Sequence, residues 1–515
     1  MFRWRYEWGH FAEAFPGVAG RVMSRAMSSR FSWMNRPFLA FLVMVWASPA
    51  TSSADLTADI RVITQDKLLA RARVGVQVIR LGQAKDNTVV ASLNAAEPHI
   101  PASNLKLVTT AAALERLGRD FKFRTVLIQQ GKDIALIGDG DPTLGDAEML
   151  RKVGWETTTA FAKWAEELKR RGITDVNDVL VDDSIFDQTF AHPNWPVDQL
   201  QKRYVAEVGG LSFNANCVDF VINSTGAANV VRFKTDPSTR YINVKNSCVS
   251  GDENKIYLTR AGGSNDIILK GEAVGTTAQD PVSVTIHDPP LFAGTVLAET
   301  LQSNGVKVTG ITRRDRTVRT RLLQNRNDDV TVLAVHETPL SVVLARANKD
   351  SMNLYAESLC KRLGAEVSLS PGSWQNGTAA TADFVRDAGV AGAEYIFDDG
   401  CGLSKKNRIS AHALTQVLAH VYASPNAPAY MQSLSIAGSD GTLQRRFSGS
   451  DLRGRVFGKS GFVNGVSSLS GYLQAKSGEW YAFSILFNGI PDLSNSTAKL
   501  LQERIVAAID KASVQ

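Results

Sequence analysis

A serine followed three residues later by a lysine can supply a nucleophile with a base beside it. Ser103 and Lys106 have this spacing and begin a segment rich in Leu and Ala that ends before Gly118. If the segment is a helix, the hydroxyl and the amine lie one turn apart on the same face. The free N–H groups and the positive dipole at a helix start can stabilise a developing oxyanion. Lysine can accept the proton only where burial or a nearby cation lowers its pKa from about 10.4.

Two further motifs follow this pair in chain order. Ser351-Met-Asn353 stands at the head of a predicted helix, and Lys459-Ser-Gly461 stands in a predicted strand. The order S-x-x-K, S-x-N, K-[T/S]-G is typical of penicillin-binding proteins and serine β-lactamases. Each motif also has a second copy that does not fit the order: Ser496 with Lys499, Ser212 with Asn214, and Lys476 with Gly478.

Histidine-dependent and metal-dependent chemistry have little support in the sequence. The six histidines after residue 54 lie in neither a Gly-x-Ser-x-Gly nor a metalloprotease motif, so we expect ordinary surface or core residues. The four cysteines form no CxxC pair and no zinc-type spacing, and we predict neither a metal nor a cofactor. Disulfide pairing stays open, and the pairs nearest in sequence are Cys217 with Cys248 and Cys360 with Cys401.

The elements that must position the three motifs predict an α+β fold. We expect a hairpin near the C-terminus to lie beside N-terminal strands, with helices on both sides. The predicted segments are strands at 74–78 and 87–92, helices at 103–117, 351–363 and 379–387, strands at 467–475 and 480–488, and a helix at about 496–511.

Residues 125 to about 325 differ in character from the rest. Short β-prone pieces are separated by Gly, Asn, Asp and Pro, which predicts a large β-rich insertion, either one unit or two nested subdomains. The pieces are 133–137, 179–182, 219–222 and 282–286. The predicted division is a leader at 1–54, a discontinuous catalytic domain at 55–124 and 326–515, and the insertion at 125–325.

The leader has the pattern of an export signal cleaved after Ala54. Its apolar run at 38–47 is too short to span a bilayer, follows two arginines and precedes small residues. A buried core helix is the alternative interpretation, and translation could also begin at Met27 or Met34. No later run reaches about 18 apolar residues. We therefore expect a protein outside the cytoplasm with at most peripheral membrane contact.

Composition and charge narrow the class of protein. The 515 residues, 44% apolar and 21% charged, exclude a fibrous or disordered chain and allow two to four domains. The net charge of +6 arises mostly in residues 1–54, which carry six Arg and two Glu, whereas the remainder carries 51 basic and 49 acidic groups. A nearly balanced mature chain does not favour nucleic acid as a partner.

Longer stretches of the sequence resemble the penicillin-binding-protein-4-like D-alanyl-D-alanine carboxypeptidase/endopeptidases, the class C low-molecular-mass penicillin-binding proteins. The resemblance runs from about residue 60 to the C-terminus, and the family also has a long insertion between its first two motifs. Three residues depart from the family pattern: Asp139 replaces glycine, Cys401 serine and Ser460 threonine. The segments that carry the resemblance are 101–107, 138–144, 399–404, 438–443 and 459–472.

The resemblance implies a β-lactamase/D,D-transpeptidase-like domain, in which helices and a helical subdomain flank an antiparallel sheet. It implies that Ser103 attacks the carbonyl of a D-Ala-D-Ala or cross-linking peptide bond and forms an acyl-enzyme that water hydrolyses. Lys106 would be the base. Ser351 would pass a proton to the leaving amine, and Asn353 would hold the substrate amide.

The third motif is implied to bind the substrate's terminal carboxylate. Lys459 would supply positive potential and Ser460 a hydrogen bond. Gly461 would leave room for the substrate along the strand edge. The backbone N–H groups of Ser103 and Phe462 would form the oxyanion hole.

The predicted function is therefore that of an exported, periplasmic serine D,D-peptidase. Its partners would be peptidoglycan stem peptides, with β-lactams as covalent inhibitors. A β-lactamase or esterase of the same fold is one alternative, and a non-catalytic wall-binding protein with a vestigial site is another. The balance between carboxypeptidase and endopeptidase activity and the oligomeric state stay open.

Overall fold

The computed structural model describes residues 56–82, 86–226, 228–324, 330–492 and 494–514. The predicted export signal at 1–54 lies outside the described residues. Within these ranges, none of the helices combines the length and the apolar character needed to cross a membrane.

Helices occur on both sides of the long predicted insertion and within it. In chain order they are α1 (Leu56–Thr64), α2 (Leu105–Leu117), α3 (Ala147–Arg151), α4 (Thr159–Arg170), α5 (Pro289–Ser303), α6 (Val318–Gln324), α7 (Leu340–Asn348), α8 (Asn353–Ser368), α9 (Trp374–Asp387), α10 (Ala411–Tyr422), α11 (Ala427–Ser433) and α12 (Asn495–Ala512).

The strands up to the middle of the chain are β1 (Arg73–Leu81), β2 (Thr88–Leu93), β3 (Pro98–His99), β4 (Lys122–Gln130), β5 (Asp133–Ile137), β6 (Asp175–Val176), β7 (Val179–Asp182), β8 (Cys217–Asn223), β9 (Arg232–Asp236), β10 (Asn243–Asn246), β11 (Val249–Ser250), β12 (Lys255–Thr259), β13 (Asp266–Ala273) and β14 (Val282–Thr285). Later strands are β15 (Lys307–Val308), β16 (Thr312–Arg314), β17 (Val330–Pro339), β18 (Tyr395–Ile396), β19 (Arg408–Ser410), β20 (Ser435–Ile436), β21 (Val456–Val463), β22 (Val466–Gln474) and β23 (Trp480–Asn488).

A six-stranded antiparallel sheet joins the two ends of the chain in the order β2-β1-β23-β22-β21-β20. The predicted contact between the N-terminal strands and the C-terminal hairpin is confirmed, because β1 pairs with β23 from Arg73 opposite Asn488 to Leu81 opposite Trp480. The strand β21, which carries the third motif, is thereby fixed beside β22.

Side chains alternate between the two faces of this sheet, as the valine pattern predicts. Val76 and Val78 join a core that contains Ile60 of α1 and Ile505 of α12. Gln77, between the two valines, faces the other way and accepts a hydrogen bond from Thr415 of α10 at 2.7 Å. Helices therefore cover both faces, which confirms the predicted α+β arrangement.

The helix that carries the first motif is buried along most of its length. Every residue of α2 from Leu105 to Leu114 is buried, and the helix contacts α7, α8, α9 and α10. It ends where Gly118 takes a φ of 83°, a positive value that glycine adopts without strain. A polar side chain between residues 105 and 114 is therefore enclosed by protein.

The region between the first two motifs is rich in strands, as predicted. The pieces expected at 133–137, 179–182, 219–222 and 282–286 correspond to β5, β7, β8 and β14. β5 and β7 belong to a five-stranded sheet of order β16-β7-β5-β4-β17. Because β4 pairs with β17, the chain enters and leaves this region along neighbouring strands. The division at residues 125 and 325 stays a prediction.

Two local expectations need correction. The helix predicted from Ser351 begins at Asn353 instead, because Ser351 has a left-handed φ of 58°. The helix predicted from Ser103 begins at Leu105, after a short 3₁₀ turn at Ala102–Asn104. The four cysteines, whose pairing stayed open, are free and buried.

Candidate active site

The turn that carries Ser103 is bound to strand β22. The Pro101 carbonyl accepts a hydrogen bond from Ser468 Oγ at 2.7 Å, and Asn104 donates to Ser470 Oγ at 2.7 Å. Ala102 between them has a left-handed φ of 48°, a strained value for a residue with a Cβ. These contacts hold Ser103, which is half-buried, at the start of α2.

Lys106 is fully buried and has three oxygen neighbours. Its Nζ lies 3.0 Å from Ser103 Oγ, 2.7 Å from Asn353 Oδ1 and 3.0 Å from the Cys401 carbonyl oxygen. Residues from the first two motifs and from the segment 399–404 thus meet at one amine.

The environment of Lys106 favours the neutral amine. Burial lowers the pKa of Lys106, and the Cys401, Glu357 and Asp399 groups offset this only in part. A neutral amine has two N–H groups and one lone pair. If the N–H groups point to Asn353 and Cys401, the lone pair faces the Ser103 hydroxyl. This arrangement can remove a proton from Ser103.

Ser351 contacts Ser103, and Asn353 contacts Lys106. Ser351 Oγ donates to Ser103 Oγ at 3.2 Å. Asn353 Nδ2 donates to the Tyr204 carbonyl at 2.7 Å, which fixes the amide with its oxygen toward Lys106.

The segment 438–443 contacts the chain just before the second motif. Asp440 forms an ion pair with Lys349, and the Thr442 N–H donates to the Lys349 carbonyl at 3.0 Å. Gly441 is required here, since a Cβ would lie 2.8 Å from that carbonyl oxygen at a φ of 57°. The loop therefore fixes the chain two residues before Ser351.

The third motif lies on β21 next to the nucleophile. Lys459 is fully buried, and its Nζ donates to the Ser460 carbonyl at 2.8 Å. Burial and the nearby Lys106 hold the pKa of Lys459 well below its ordinary value, against the opposing effect of Asp350. At Gly461, a Cβ would lie 2.9 Å from the Ser103 nitrogen. This part of β21 is therefore pressed against the serine turn.

Most of the predicted site residues meet, but not all do so by direct contact. Ser103, Lys106, Ser351 and Asn353 form one hydrogen-bonded group. In the described ranges, no side-chain hydrogen bond joins Ser460 to that group, and Phe462 is 55% exposed. Ser460 and Phe462 are predicted to contact a bound substrate rather than the other site residues.

The second copies of the motifs lie in other surroundings. Ser496 is exposed on α12, and Lys476 lies in the turn after β22, where it pairs with the exposed Asp451 at 2.7 Å. Asn214 is buried and donates to the Cys217 carbonyl at 3.0 Å within the insertion. The copies that lie together near Ser103 are therefore those that follow the expected order of motifs along the chain.

Sequence reasoning missed three residues that contact this group or hold a residue that does. Glu357 binds the backbone of Cys401, and it follows Asn353 by four positions on α8, a spacing that could have indicated it. Cys401 was noted as a departure from the family pattern and as a candidate disulfide partner, but not for its carbonyl, which accepts from Lys106. Tyr204 contributes a backbone carbonyl from the insertion, for which the sequence contains no signal.

Glu357, Asp399 and Cys401 could hold a metal ion on distance alone, since their ligand atoms lie within 4.8 Å of one another. The carboxylate oxygens, however, already accept hydrogen bonds from N–H groups. For Glu357 the donors are Trp374, Gly400 and Cys401, and for Asp399 they are Trp195, Gly402, Ser404 and Asn407. These N–H donors satisfy two buried carboxylate anions, and such surroundings do not favour a bound cation.

Comparison with known proteins identifies the family of this chain. The profile of the D-Ala-D-Ala carboxypeptidase 3 (S13) family matches residues 56–512. A D-alanyl-D-alanine carboxypeptidase of Actinomadura sp. (strain R39) is 30% identical over 478 residues, which cover 87% of this chain and 85% of that protein. The D-alanyl-D-alanine carboxypeptidase DacB of Haemophilus influenzae is 24% identical over 432 residues, covering 80% and 86%.

Solved structures agree on the fold. Penicillin-binding protein 4 (dacB) of Haemophilus influenzae superposes with a TM-score of 0.71 at 23% identity, covering 88% of this chain and 99% of that one. The same protein complexed with a β-lactam gives 0.67 at 22% identity and the same coverage. The predicted α+β fold and the predicted family are thus confirmed. The chain belongs to the D-Ala-D-Ala carboxypeptidase 3 (S13) family of serine-type carboxypeptidases.

Proposed function

We propose that this protein is an exported D,D-peptidase that cleaves D-alanyl-D-alanine-type bonds of peptidoglycan stem peptides through an acyl-enzyme on Ser103. The contacts of Lys106 carry this proposal. A fully buried amine lies 3.0 Å from a serine hydroxyl, and two oxygen acceptors occupy its other hydrogen-bonding directions. Burial lowers the pKa of this amine, so it can act as a general base.

Acylation begins when the Ser103 proton passes to the Lys106 lone pair while Ser103 Oγ adds to the carbonyl carbon. The oxygen of that carbonyl gains negative charge, which the N–H groups of Ser103 and Phe462 stabilise. The C–N bond then breaks as Ser351 passes its proton to the leaving amine and takes a proton from the Lys106 ammonium, which returns Lys106 to the neutral form and restores the Ser351 hydroxyl. Ser351 Oγ lies 3.2 Å from Ser103 Oγ, within reach for this transfer. The product is an ester on Ser103.

Water completes the cycle. It adds to the ester carbonyl and loses a proton to the neutral Lys106, and the C–O bond to Ser103 breaks. The serine recovers its proton, and the peptide leaves with a new carboxylate.

Substrate binding uses the edges of the site. Asn353 has a second N–H beyond the one that it donates to Tyr204, and this group can hold the substrate amide carbonyl. Lys459 and Ser460 bind the terminal carboxylate. An anion beside Lys459 favours its charged form, so binding opposes the effect of burial on that amine.

The insertion contributes to the same site. Trp195 donates to Asp399 at 3.0 Å, and Tyr204 receives the Asn353 amide. Both residues belong to the predicted insertion at 125–325. We therefore propose that the predicted insertion borders the cleft of the catalytic domain.

Export and β-lactam binding complete the proposal. The leader pattern at 1–54 favours export, and peptidoglycan lies outside the cytoplasm, so we place the protein in the periplasm. A β-lactam has the reactive amide and the carboxylate that this site would bind. A protein of the same fold, penicillin-binding protein 4 of Haemophilus influenzae, has been crystallised with one.

The purified protein should release D-alanine from a peptide that ends in D-Ala-D-Ala, and Ser103→Ala should release none. A β-lactamase of the same fold would instead hydrolyse a chromogenic β-lactam rapidly and leave the peptide intact. A wall-binding protein would act on neither. Digestion of cross-linked peptidoglycan, followed by fragment analysis, would measure the balance between carboxypeptidase and endopeptidase cleavage.

A further inference from the structure

Glu357 is a fully buried carboxylate that the steps above do not use. It lies on α8, one turn after Asn353, and binds the turn that contains Gly400 and Cys401. Its oxygens accept from the Cys401 N–H at 2.6 Å, from the Gly400 N–H at 3.0 Å and from the Trp374 indole at 2.7 Å. A single side chain thus holds two successive backbone N–H groups.

Cys401 connects this carboxylate to the base. Its N–H is bound by Glu357, and its carbonyl accepts from Lys106 Nζ at 3.0 Å. A shift of the turn would therefore move one of the two acceptors that orient the amine. Asp399 braces the turn from the other side, where it accepts from the Gly402 N–H at 2.7 Å.

Stability alone does not explain a carboxylate at this position. Burial and the neighbouring Asp399 raise the pKa of Glu357 to about 7, so keeping the group ionised inside the fold costs free energy. The titratable groups that face it come from three places: Lys106 on α2, Asp399 and Cys401 in the turn, and Cys360 and Lys361 on α8 itself. Glu357 therefore interacts electrostatically with Lys106, Lys361 and Asp399 in the interior of the protein.

We propose that Glu357 is a positioning residue for Lys106, which it orients by holding the Cys401 carbonyl in place. With that acceptor fixed, the neutral amine directs its lone pair at Ser103. The inference rests on the proposed function, because it takes Lys106 to be the base.

The proposal predicts two separable effects of Glu357, one geometric and one electrostatic. The geometric effect sets how fast the neutral amine reacts. The electrostatic effect sets the pH at which the amine becomes neutral, since a nearby anion favours the ammonium form of Lys106. Two substitutions distinguish these effects.

Glu357→Gln removes the charge and presents an N–H₂ group to a site lined by N–H donors. We expect the plateau rate of acylation by a fluorescent penicillin to fall at least tenfold, since small displacements of a catalytic group cost about this much or more. The acidic limb of the pH profile should move to lower pH by roughly one unit. Glu357→Asp keeps the charge but withdraws the oxygens, so its plateau should fall while the limb stays in place.

Glu167→Gln is the matched control. It removes a carboxylate that is only 8% exposed and that binds Arg170 at the end of α4 and Arg171 just after it, within the predicted insertion. Rates between pH 5.5 and 9, a thermal melt and mapping of the adduct should be measured for each variant. The control should keep both the wild-type plateau and the wild-type limb.

The outcomes separate this inference from the proposed function. If the wild-type protein forms no adduct on Ser103, the proposed function itself fails. If it does, and folded Glu357→Gln and Glu357→Asp keep the wild-type plateau and limb, only the positioning role is wrong. Should Glu357→Gln not fold, Trp374→Phe removes one donor from the carboxylate and should move the limb in the same direction by a smaller amount. An unmoved limb in that variant, with a normal plateau in Glu357→Asp, would also overturn the role.

Discussion

Lys106 Nζ lies closer to Asn353 Oδ1, at 2.7 Å, than to Ser103 Oγ, at 3.0 Å. The Asn353 oxygen can only accept, so the amine must donate in that direction. The Cys401 carbonyl imposes the same requirement in a second direction. An ammonium would also donate to Ser103 and could accept nothing from it. The reactive form is therefore the neutral amine, whose lone pair faces Ser103.

Replacement of the base tests this argument directly. Lys106→Arg keeps a positive charge but cannot deprotonate in the usable pH range, because the guanidinium pKa exceeds about 12. We expect Lys106→Arg to acylate nearly as slowly as Lys106→Ala, roughly 10²- to 10⁴-fold below wild type. Stopped-flow labelling with a penicillin would measure both rates. A near wild-type rate in the arginine variant would show that Lys106 acts only through its charge.

The pH profile of the wild-type protein should be bell-shaped. Burial lowers the pKa of Lys106, so acylation should rise with pH as the ammonium loses its proton, and this rise should be centred below the ordinary lysine pKa of about 10.4. At higher pH it should fall as Lys459 loses the charge that binds the substrate carboxylate. Burial and Lys106 lower the pKa of Lys459 as well, so this fall should also begin below the ordinary range of a lysine. The limbs belong to the two interacting lysines together. A rate that is independent of pH between 5.5 and 9 would contradict this assignment.

The nucleophile can be separated from its second copy in the sequence. Ser103→Ala should abolish covalent penicillin labelling, because the hydroxyl that forms the ester is gone. Ser496→Ala should label at the wild-type rate, since Ser496 is exposed on α12. Gel fluorescence and adduct mapping would measure both. An adduct on Ser496 in the Ser103→Ala protein would refute the choice between the two serines.

The two Lys-Ser-Gly segments allow a similar comparison. Lys459 is fully buried and near Lys106, whereas Lys476 is paired with Asp451 in an exposed turn. Lys459→Ala should lower kcat/KM for D-alanine release about tenfold to a hundredfold, the loss expected for a hydrogen bond to a charged group. Lys476→Ala should stay within about twofold of wild type, because an exposed ion pair contributes little. The opposite ranking would mean that the carboxylate binds elsewhere.

Local patterns predicted the elements of the site well. The spacing of Ser103 and Lys106 places both on one helical turn, and period-two valines identified β1 with Val76 and Val78 facing one core. These signals need only neighbours in sequence. The left-handed φ of Ser351 was not predicted, because it depends on how the chain between α7 and α8 is held by a distant loop.

Contacts that use backbone atoms escaped sequence reasoning. The carbonyls of Tyr204 and Cys401 orient Asn353 and Lys106, and any residue type presents a carbonyl. Glu357 was missed for a related reason, since its partners are the N–H groups of a turn more than forty positions away in sequence. Such contacts follow from packing between elements rather than from motif spacing.

Gly461 gives a test of how tightly β21 is pressed against the nucleophile. An added Cβ would lie 2.3 Å from Ser468 Oγ and 2.9 Å from both the Pro101 oxygen and the Ser103 nitrogen, so one of these groups must move. Ser468 binds the Pro101 carbonyl and Ser103 is the nucleophile, so each movement disturbs the turn that carries the serine.

Gly461→Ala should therefore slow acylation at least tenfold and lower Tm by roughly 2–6 °C, as expected for overpacking that costs about 1–3 kcal/mol. Gly392→Ala is the matched control, because a Cβ there meets no atom within 4 Å and its φ is not in the left-handed region. That variant should keep the wild-type rate and Tm. Penicillin labelling rates and thermal melts of both variants would test how tightly β21 packs against Ser103. If Gly461→Ala labelled at the wild-type rate with an unchanged Tm, β21 could withdraw from Ser103 at no cost, and the predicted fit of the substrate along this strand would be wrong.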